Sequence, residues 1–205
     1  MRTPIATGKT HAMMFERLDW PDGDFRIARS FWQCDEADAL LERLCEEIAW
    51  ARHEVVLFGR RVPSPRLSAW YGDPEASYAY SGHRYVPLPW TSALSTVRSR
   101  IETALDRPFN GMLANLYRDG RDGMGWHRDD ERELGPEPAI ASTSFGAPRR
   151  FVLRHRSGER RELVLEHGSL LLMAGASQRH WQHALPKTRR PCGPRLNLTF
   201  RRILT

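Results

Sequence analysis

The chain has 205 residues, 40% of them hydrophobic, with 31 Lys and Arg against 25 Asp and Glu and a formal net charge of +6. That length favours one domain with a full core, and no run approaches the roughly 20 apolar residues that a membrane helix needs. The first residues lack the apolar segment of a secretion signal, and Cys34, Cys45 and Cys192 are spaced as free thiols, so the expectation is a monomer that is neither secreted nor membrane-bound, cytoplasmic in a bacterium or nuclear in a eukaryote.

Residues 1–24 show no periodicity and are expected to form a flexible N-terminus, with one domain over 25–205. A helix is predicted over 35–50, where Asp35 and Glu36 favour its positive end and Leu40, Leu41, Leu44 and Ile48 make one apolar stripe. A strand is predicted over 54–60, followed by a prolyl loop through Pro63 and Pro65. The 70–90 stretch is rich in aromatic residues and turns. A second helix is predicted over 91–105, with Leu94, Val97, Ile101 and Leu105 on one face. Beyond 110 the pattern changes to short strands near 111–117, 124–129, 140–145, 150–155, 161–166, 169–173, 180–185 and 195–203. Helices first and short strands later predict an α+β chain: a helical, substrate-binding part over 25–110 and a jelly roll or barrel over 111–205.

His127-Arg128-Asp129 carries the first chemical signal. On a strand, or on the extended loop leaving it, a spacing of two points both side chains the same way. The downstream His183 would complete a 2-His-1-carboxylate face, which leaves coordination positions of Fe(II) open. His-x-Asp is common in itself, and zinc takes the same residue types. His155, His167 and His180 are further candidates, although His180 on the same strand as His183 would point to the opposite face.

The segment Arg195–Arg201 alternates strictly. Leu196, Leu198 and Phe200 take one face, and Arg195, Asn197, Thr199 and Arg201 the other. This is either an ordinary half-exposed strand or one whose polar face lines a barrel interior. A buried arginine keeps its proton and therefore needs an anion. A small dicarboxylate such as 2-oxoglutarate would meet two arginines and chelate iron as well. Arg195 and Arg201 are about 20 Å apart on an ideal strand, so their side chains must converge. The positive charge is carried almost wholly by arginine, lysine occurring only at 9 and 187. The pairs Arg60-Arg61, Arg149-Arg150, Arg160-Arg161 and Arg189-Arg190 are either phosphate contacts or solvated surface.

Taken together, Asn115-Leu116-Tyr117, His127 to Glu133, Ile140-Ala141-Ser142 through Phe145-Gly146, Gly168-Ser169-Leu170, Trp181-Gln182-His183 and Pro194 to Arg201 resemble, in order, the motifs of the AlkB family. Its members are Fe(II)- and 2-oxoglutarate-dependent nucleic-acid dealkylases, and the nearest likeness is to the animal homologue acting on double-stranded DNA. The resemblance covers about residue 55 to the end. It implies a double-stranded β-helix, iron held by His127, Asp129 and His183, and 2-oxoglutarate held by Asn115, Tyr117, Arg195, Asn197, Thr199 and Arg201, with O2 as the second cosubstrate.

The implied partner is alkylated DNA, single- or double-stranded. The flipped base would be held by Tyr78 and Tyr80, with Asp130 and Glu131 accepting from its amine or cationic ring. Phe58, in the apolar run Val55 to Gly59, would wedge into the gap, and Arg66 would contact the strand. The implied reaction is oxidative removal of N-linked methyl groups from 1-methyladenine and 3-methylcytosine, extending to etheno adducts, with release of formaldehyde. Rival readings are an RNA demethylase of the same chemistry, a damage-binding protein without turnover, and a dioxygenase acting on protein or small molecules. In one departure, the basic loop that grips the second strand in the duplex-acting relative is short here, over Arg156–Arg160.

Overall fold

Ala37, Leu40 and Leu44 recur at helical spacing on α1 (Cys34–Glu47) and are buried, as are Ala93, Leu94, Val97 and Ile101 on α2 (Ser92–Leu105). The Thr91 hydroxyl caps α2 by accepting from the Leu94 amide at 3.3 Å. α1 stops at Glu47, short of the predicted 50; Ile48 turns extended but stays buried. The structure, a computed structural model, describes residues 15–57, 60–76, 78–80 and 83–204, with the backbone alone described at 55–57, 60–61, 78–80 and 83–85.

The strands are β1 (Glu16–Leu18), β2 (Asp24–Ala28), β3 (Glu54–Leu57), β4 (Arg60–Pro63), β5 (Leu67–Gly72), β6 (Tyr78–Tyr80), β7 (His83–Tyr85), β8 (Gly111–Tyr117), β9 (Met124–His127), β10 (Ile140–Gly146), β11 (Arg149–His155), β12 (Arg160–Leu165), β13 (Ser169–Ala174), β14 (Trp181–Leu185) and β15 (Arg195–Arg201). A four-residue helix, α3 (Ser177–His180), leads into β14. Two antiparallel sheets result. The larger runs β1-β2-β13-β10-β15-β8-β5 and the smaller β12-β11-β14-β9. β3 with β4, and β6 with β7, form separate hairpins.

Two apolar layers hold this together. Phe151, Leu153, Leu163 and Leu185 of the small sheet pack with Ile27, Tyr117, Ile140, Leu171 and Met173 of the large sheet. The opposite face of the large sheet, including Met112, Ala114, Leu196, Leu198 and Phe200, packs with the apolar faces of α1 and α2. β15 is therefore buried along its whole length. This is the double-stranded β-helix with buttressing N-terminal helices that the sequence led us to expect.

Three segments differ from what their sequence predicts. Residues 16–18 are not loose but pair with β2 at the edge of the large sheet. The single strand expected over 54–60 is the start of a hairpin. Residue 180 ends a short helix, so His180 does not share a strand with His183.

Candidate metal and cosubstrate site

β9 and β14 pair antiparallel with His127 opposite His183. Directly opposite residues share a face of the sheet, so the register alone brings the two imidazoles together. Their ring centroids are 4.2 Å apart, edge to face. The chain leaves β9 after His127, and Asp129 folds back beneath the pair. His183 Nε2 lies 3.6 Å from Asp129 Oδ2, and one ligand atom from each of the three residues lies within 4.8 Å of the others.

Neighbouring groups aim these ligands. His127 Nδ1 donates to the Gly125 carbonyl at 2.9 Å, which leaves Nε2 with its lone pair. The Asp129 amide donates to Gln178 Oε1 at 3.0 Å. Arg201 donates to Asp129 Oδ1 at 2.5 Å, leaving Oδ2 to face His183. Burial pushes the His183 pKa down to about 3, and the neighbouring His127 adds to the shift. Burial also lowers His127. Burial alone would raise Asp129, but Arg201 and then the two histidines outweigh it and hold the carboxyl at about 2. Two neutral imidazoles and one carboxylate on the same side of a point are the donor set that suits Fe(II) with open positions.

Two cavities meet at this cluster. The inner one is lined by Asn115, Tyr117, Arg195, Asn197, Thr199 and Arg201, among others, and the outer one by Trp70, Leu88, Arg66 and Glu131, among others. Both reach His127, Asp129 and Arg201. The polar face of β15 therefore points inward. It faces β8 across the register Arg195 to Tyr117 and Asn197 to Asn115.

Arg195 is fully buried. It donates to Ser144 Oγ at 2.8 Å and lies 5.4 Å from the Tyr117 ring centre, while its Nε has no hydrogen-bond partner among the described residues. Burial pulls its pKa down to about 10; Tyr117 partly opposes this and Arg149 adds to it. A buried guanidinium set among hydroxyls fits the distal carboxylate of a keto acid. Asn197 is held by Ser142 Oγ and the Thr143 carbonyl, both at 2.9 Å, and accepts from the Thr199 hydroxyl at 3.1 Å.

Several expected residues sit differently from the sequence reading. Arg201 lines the inner cavity as foreseen, but its hydrogen bond goes to Asp129. Asn115 lines that cavity too, yet its Oδ1 accepts from Arg66 Nε at 2.6 Å. Arg66 thus lines the outer cavity with its Nε held by Asn115. Glu131 lines the outer cavity, whereas Asp130 is exposed and sits 3.6 Å from Arg128. Tyr78 and Tyr80 lie on β6 at a spacing of two, where the backbone alone is described. Phe58 lies outside the described residues.

Arg149, read as a surface arginine, is buried and donates to the carbonyls of Asp119, Asp122 and Pro186. The sequence reading missed Ser144, Gln178 and Trp70. Ser142 and Ser144 are two apart on β10 and so share a face, whereas Gln178 on its one-turn helix carries no such signal.

Comparison with known proteins agrees with this geometry. Residues 24–201 match the 2OG-Fe(II) oxygenase superfamily. The chain is 43% identical over 196 residues to Alpha-ketoglutarate-dependent dioxygenase alkB homolog 3 of Mus musculus, an alignment covering 89% of this chain and 68% of the relative. It is 43% identical over 181 residues to DNA oxidative demethylase ALKBH2 of Homo sapiens, covering 82% and 69% respectively. The two match equally, so the narrower likeness to one animal homologue widens to the family. The solved structure of OsALKBH1 superposes with a TM-score of 0.67 at 16% identity, over 92% of this chain and 100% of that one, a likeness of fold alone. With most of its length matched and its relatives spanned this far, the chain belongs to the 2OG-Fe(II) oxygenase superfamily and, within it, to the AlkB family.

Proposed function

We propose that this protein removes methyl groups oxidatively from alkylated nucleic-acid bases, with Fe(II) at His127, Asp129 and His183 and 2-oxoglutarate in the inner cavity. The observation that carries this reading is the buried Arg195 guanidinium, which sits among neutral hydroxyls beside a two-histidine, one-carboxylate cluster. A binding protein without turnover has no need of that buried cation. The bound iron, with 2-oxoglutarate and O2, supplies the oxidant that hydroxylates the N-linked methyl carbon, releasing succinate and CO2. The N-hydroxymethyl base then loses formaldehyde and is restored.

The chain's own groups bind and aim the reactants. Arg195 and Ser144 hold the far carboxylate of the keto acid. Tyr117, Asn197 and Thr199 line the walls around it, and Arg201 fixes Asp129 so that one oxygen faces the metal position. The outer cavity takes the flipped base, and Tyr78 and Tyr80, two apart on β6, hold that base by stacking. The preferred lesions are 1-methyladenine and 3-methylcytosine, and the preferred polymer is DNA. The chain acts as a monomer.

The test is a turnover assay with Fe(II), 2-oxoglutarate and a 3-methylcytosine oligomer, counting formaldehyde against succinate. One formaldehyde per succinate is expected. Succinate formed without formaldehyde would remove the demethylase reading. DNA and RNA oligomers of one sequence, run side by side, decide the polymer: faster turnover on RNA would reverse the DNA assignment.

Glu131 is the group in the outer cavity suited to a cationic base. Burial raises its carboxyl pKa, with Arg201 opposing, and its Oε2 is buried with no hydrogen-bond partner among the described residues. Hydrogen bonds to charged groups contribute about 1.5–3 kcal/mol. Glu131→Gln should therefore raise the KM for the 3-methylcytosine oligomer by about 10- to 100-fold. The KM for 2-oxoglutarate should stay unchanged. Equal KM increases for both ligands would place Glu131 outside base recognition.

A further inference from the structure

A second cluster of metal-ligating side chains lies outside the iron site and shares no residue with it. Asp22 sits in the turn between β1 and β2, at a left-handed φ of 54°. His155 ends β11 and His180 ends α3. The three converge from segments far apart in the chain. His155 Nε2 lies 3.1 Å from Asp22 Oδ2, and His180 Nδ1 lies 3.5 Å from the same oxygen. All three candidate ligand atoms lie within 4.8 Å of one another. The imidazole planes are parallel to within 5°, with centroids 5.8 Å apart.

We infer that Asp22, His155 and His180 form a second divalent-cation site, suited to a zinc-type ion in tetrahedral coordination. Ligands 2.0–2.1 Å from zinc at tetrahedral angles are about 3.3 Å from each other. The two distances to Asp22 bracket that value, and the two histidine nitrogens lie within 4.8 Å of each other. Two imidazoles and one carboxylate are a common zinc donor set, with water in the fourth position. The exposures fit as well: the histidine side chains are 7% and 11% exposed, while Asp22 is 46% exposed and leaves the cluster open on one side.

The surroundings favour the same reading. His155 Nδ1 is 2.8 Å from Ser157 Oγ. Nδ1 also accepts from the Ser157 amide at 3.3 Å, so without a metal the ring proton sits on Nε2 facing Asp22; a metal at Nε2 displaces it, and the Ser157 hydroxyl is placed to accept the proton moved to Nδ1. The Trp181 ring lies 4.9 Å from His155 and covers its inner side. A plain hydrogen bond from His155 to Asp22 would satisfy that pair only. It would leave His180 Nδ1, which is buried and has no hydrogen-bond partner among the described residues, unmet, and buried polar nitrogens are rarely left so. A metal ion meets all three at once and ties the β1–β2 hairpin to β11 and to the lead-in of β14.

The test uses the metal-free full chain and zinc alone, with bound metal counted after equilibrium dialysis. Because the iron ligands also take zinc, wild type should hold two equivalents. Asp22→Asn should hold one, since asparagine is at ease in the left-handed turn. His127→Ala should also hold one, and the double variant none. His180→Gln gives a second route to the same count if Asp22→Asn does not fold. With Co(II) in place of zinc, His127→Ala should show the strong visible bands of a tetrahedral site and the double variant should not. No zinc held by His127→Ala, or no loss of an equivalent in either Asp22→Asn or His180→Gln, would overturn the site. Because the readout is metal bound and not turnover, its failure would leave the demethylase reading untouched.

Discussion

Replacing Asp129 with alanine should abolish formaldehyde release and, separately, destabilise the metal-free protein. The first effect follows from the loss of the one carboxylate in the proposed iron site. The second follows from Arg201, which is buried and donates to Asp129 at 2.5 Å. Removing one partner of a buried ion pair costs about 3–5 kcal/mol, because the other charge stays desolvated. Asp129→Asn separates the effects, since its amide oxygen can still accept from Arg201. It should restore part of the stability and none of the turnover.

The sign of the pH dependence follows from the depressed carboxyl. Asp129 is held at about 2, below its unfolded value, so its contribution to stability is complete above the unfolded pKa. That contribution is lost as pH falls towards 2. Chemical denaturation of the metal-free protein between pH 6 and 2 should show this fall in wild type and less of it in Asp129→Asn. Turnover retained in either variant would refute the iron assignment.

Arg195→Met should act in the opposite sense on stability. Methionine removes a buried cation that has only neutral hydroxyl and aromatic partners. Replacing buried charge by packed hydrocarbon is often neutral or stabilising. Without cosubstrate the variant should therefore melt no lower than wild type, yet it should lose most of its affinity for 2-oxoglutarate. Truncating one member of a buried charge pair costs about 2–5 kcal/mol of binding, which raises the KM for 2-oxoglutarate by roughly 30-fold or more. Wild type should gain thermal stability when 2-oxoglutarate is added, and the variant should not. An unchanged KM would show that the keto acid is held elsewhere.

Most of the catalytic core is legible in the sequence because its signals are local. The strict alternation from Arg195 to Arg201 fixes which residues share the inner face, and burial of the strand on both sides decides that this face lines a cavity. The His-x-Asp spacing works because His127 ends a strand and Asp129 follows it.

Long-range convergence is not legible. β1 and β2 are short, and β2 gains its place by pairing with β13 from Leu170 to Ala174, a partner no window near residue 25 contains. The Arg201 bond to Asp129 spans 72 positions. Residue pattern alone could not say that of the two arginines of β15 it is Arg201 that bonds Asp129. Asp130 and Glu131 are adjacent and alike in charge; only the path of the chain out of β9 sends one to solvent and the other inward.

Gln178 ties the backbone at Asp129 to α3, and α3 runs directly into the strand that bears His183. The two limbs of the cradle are thus laced together by protein alone, through a bond that needs no ion. Groups held in place by such a bond spend little free energy on ordering when they take up a ligand.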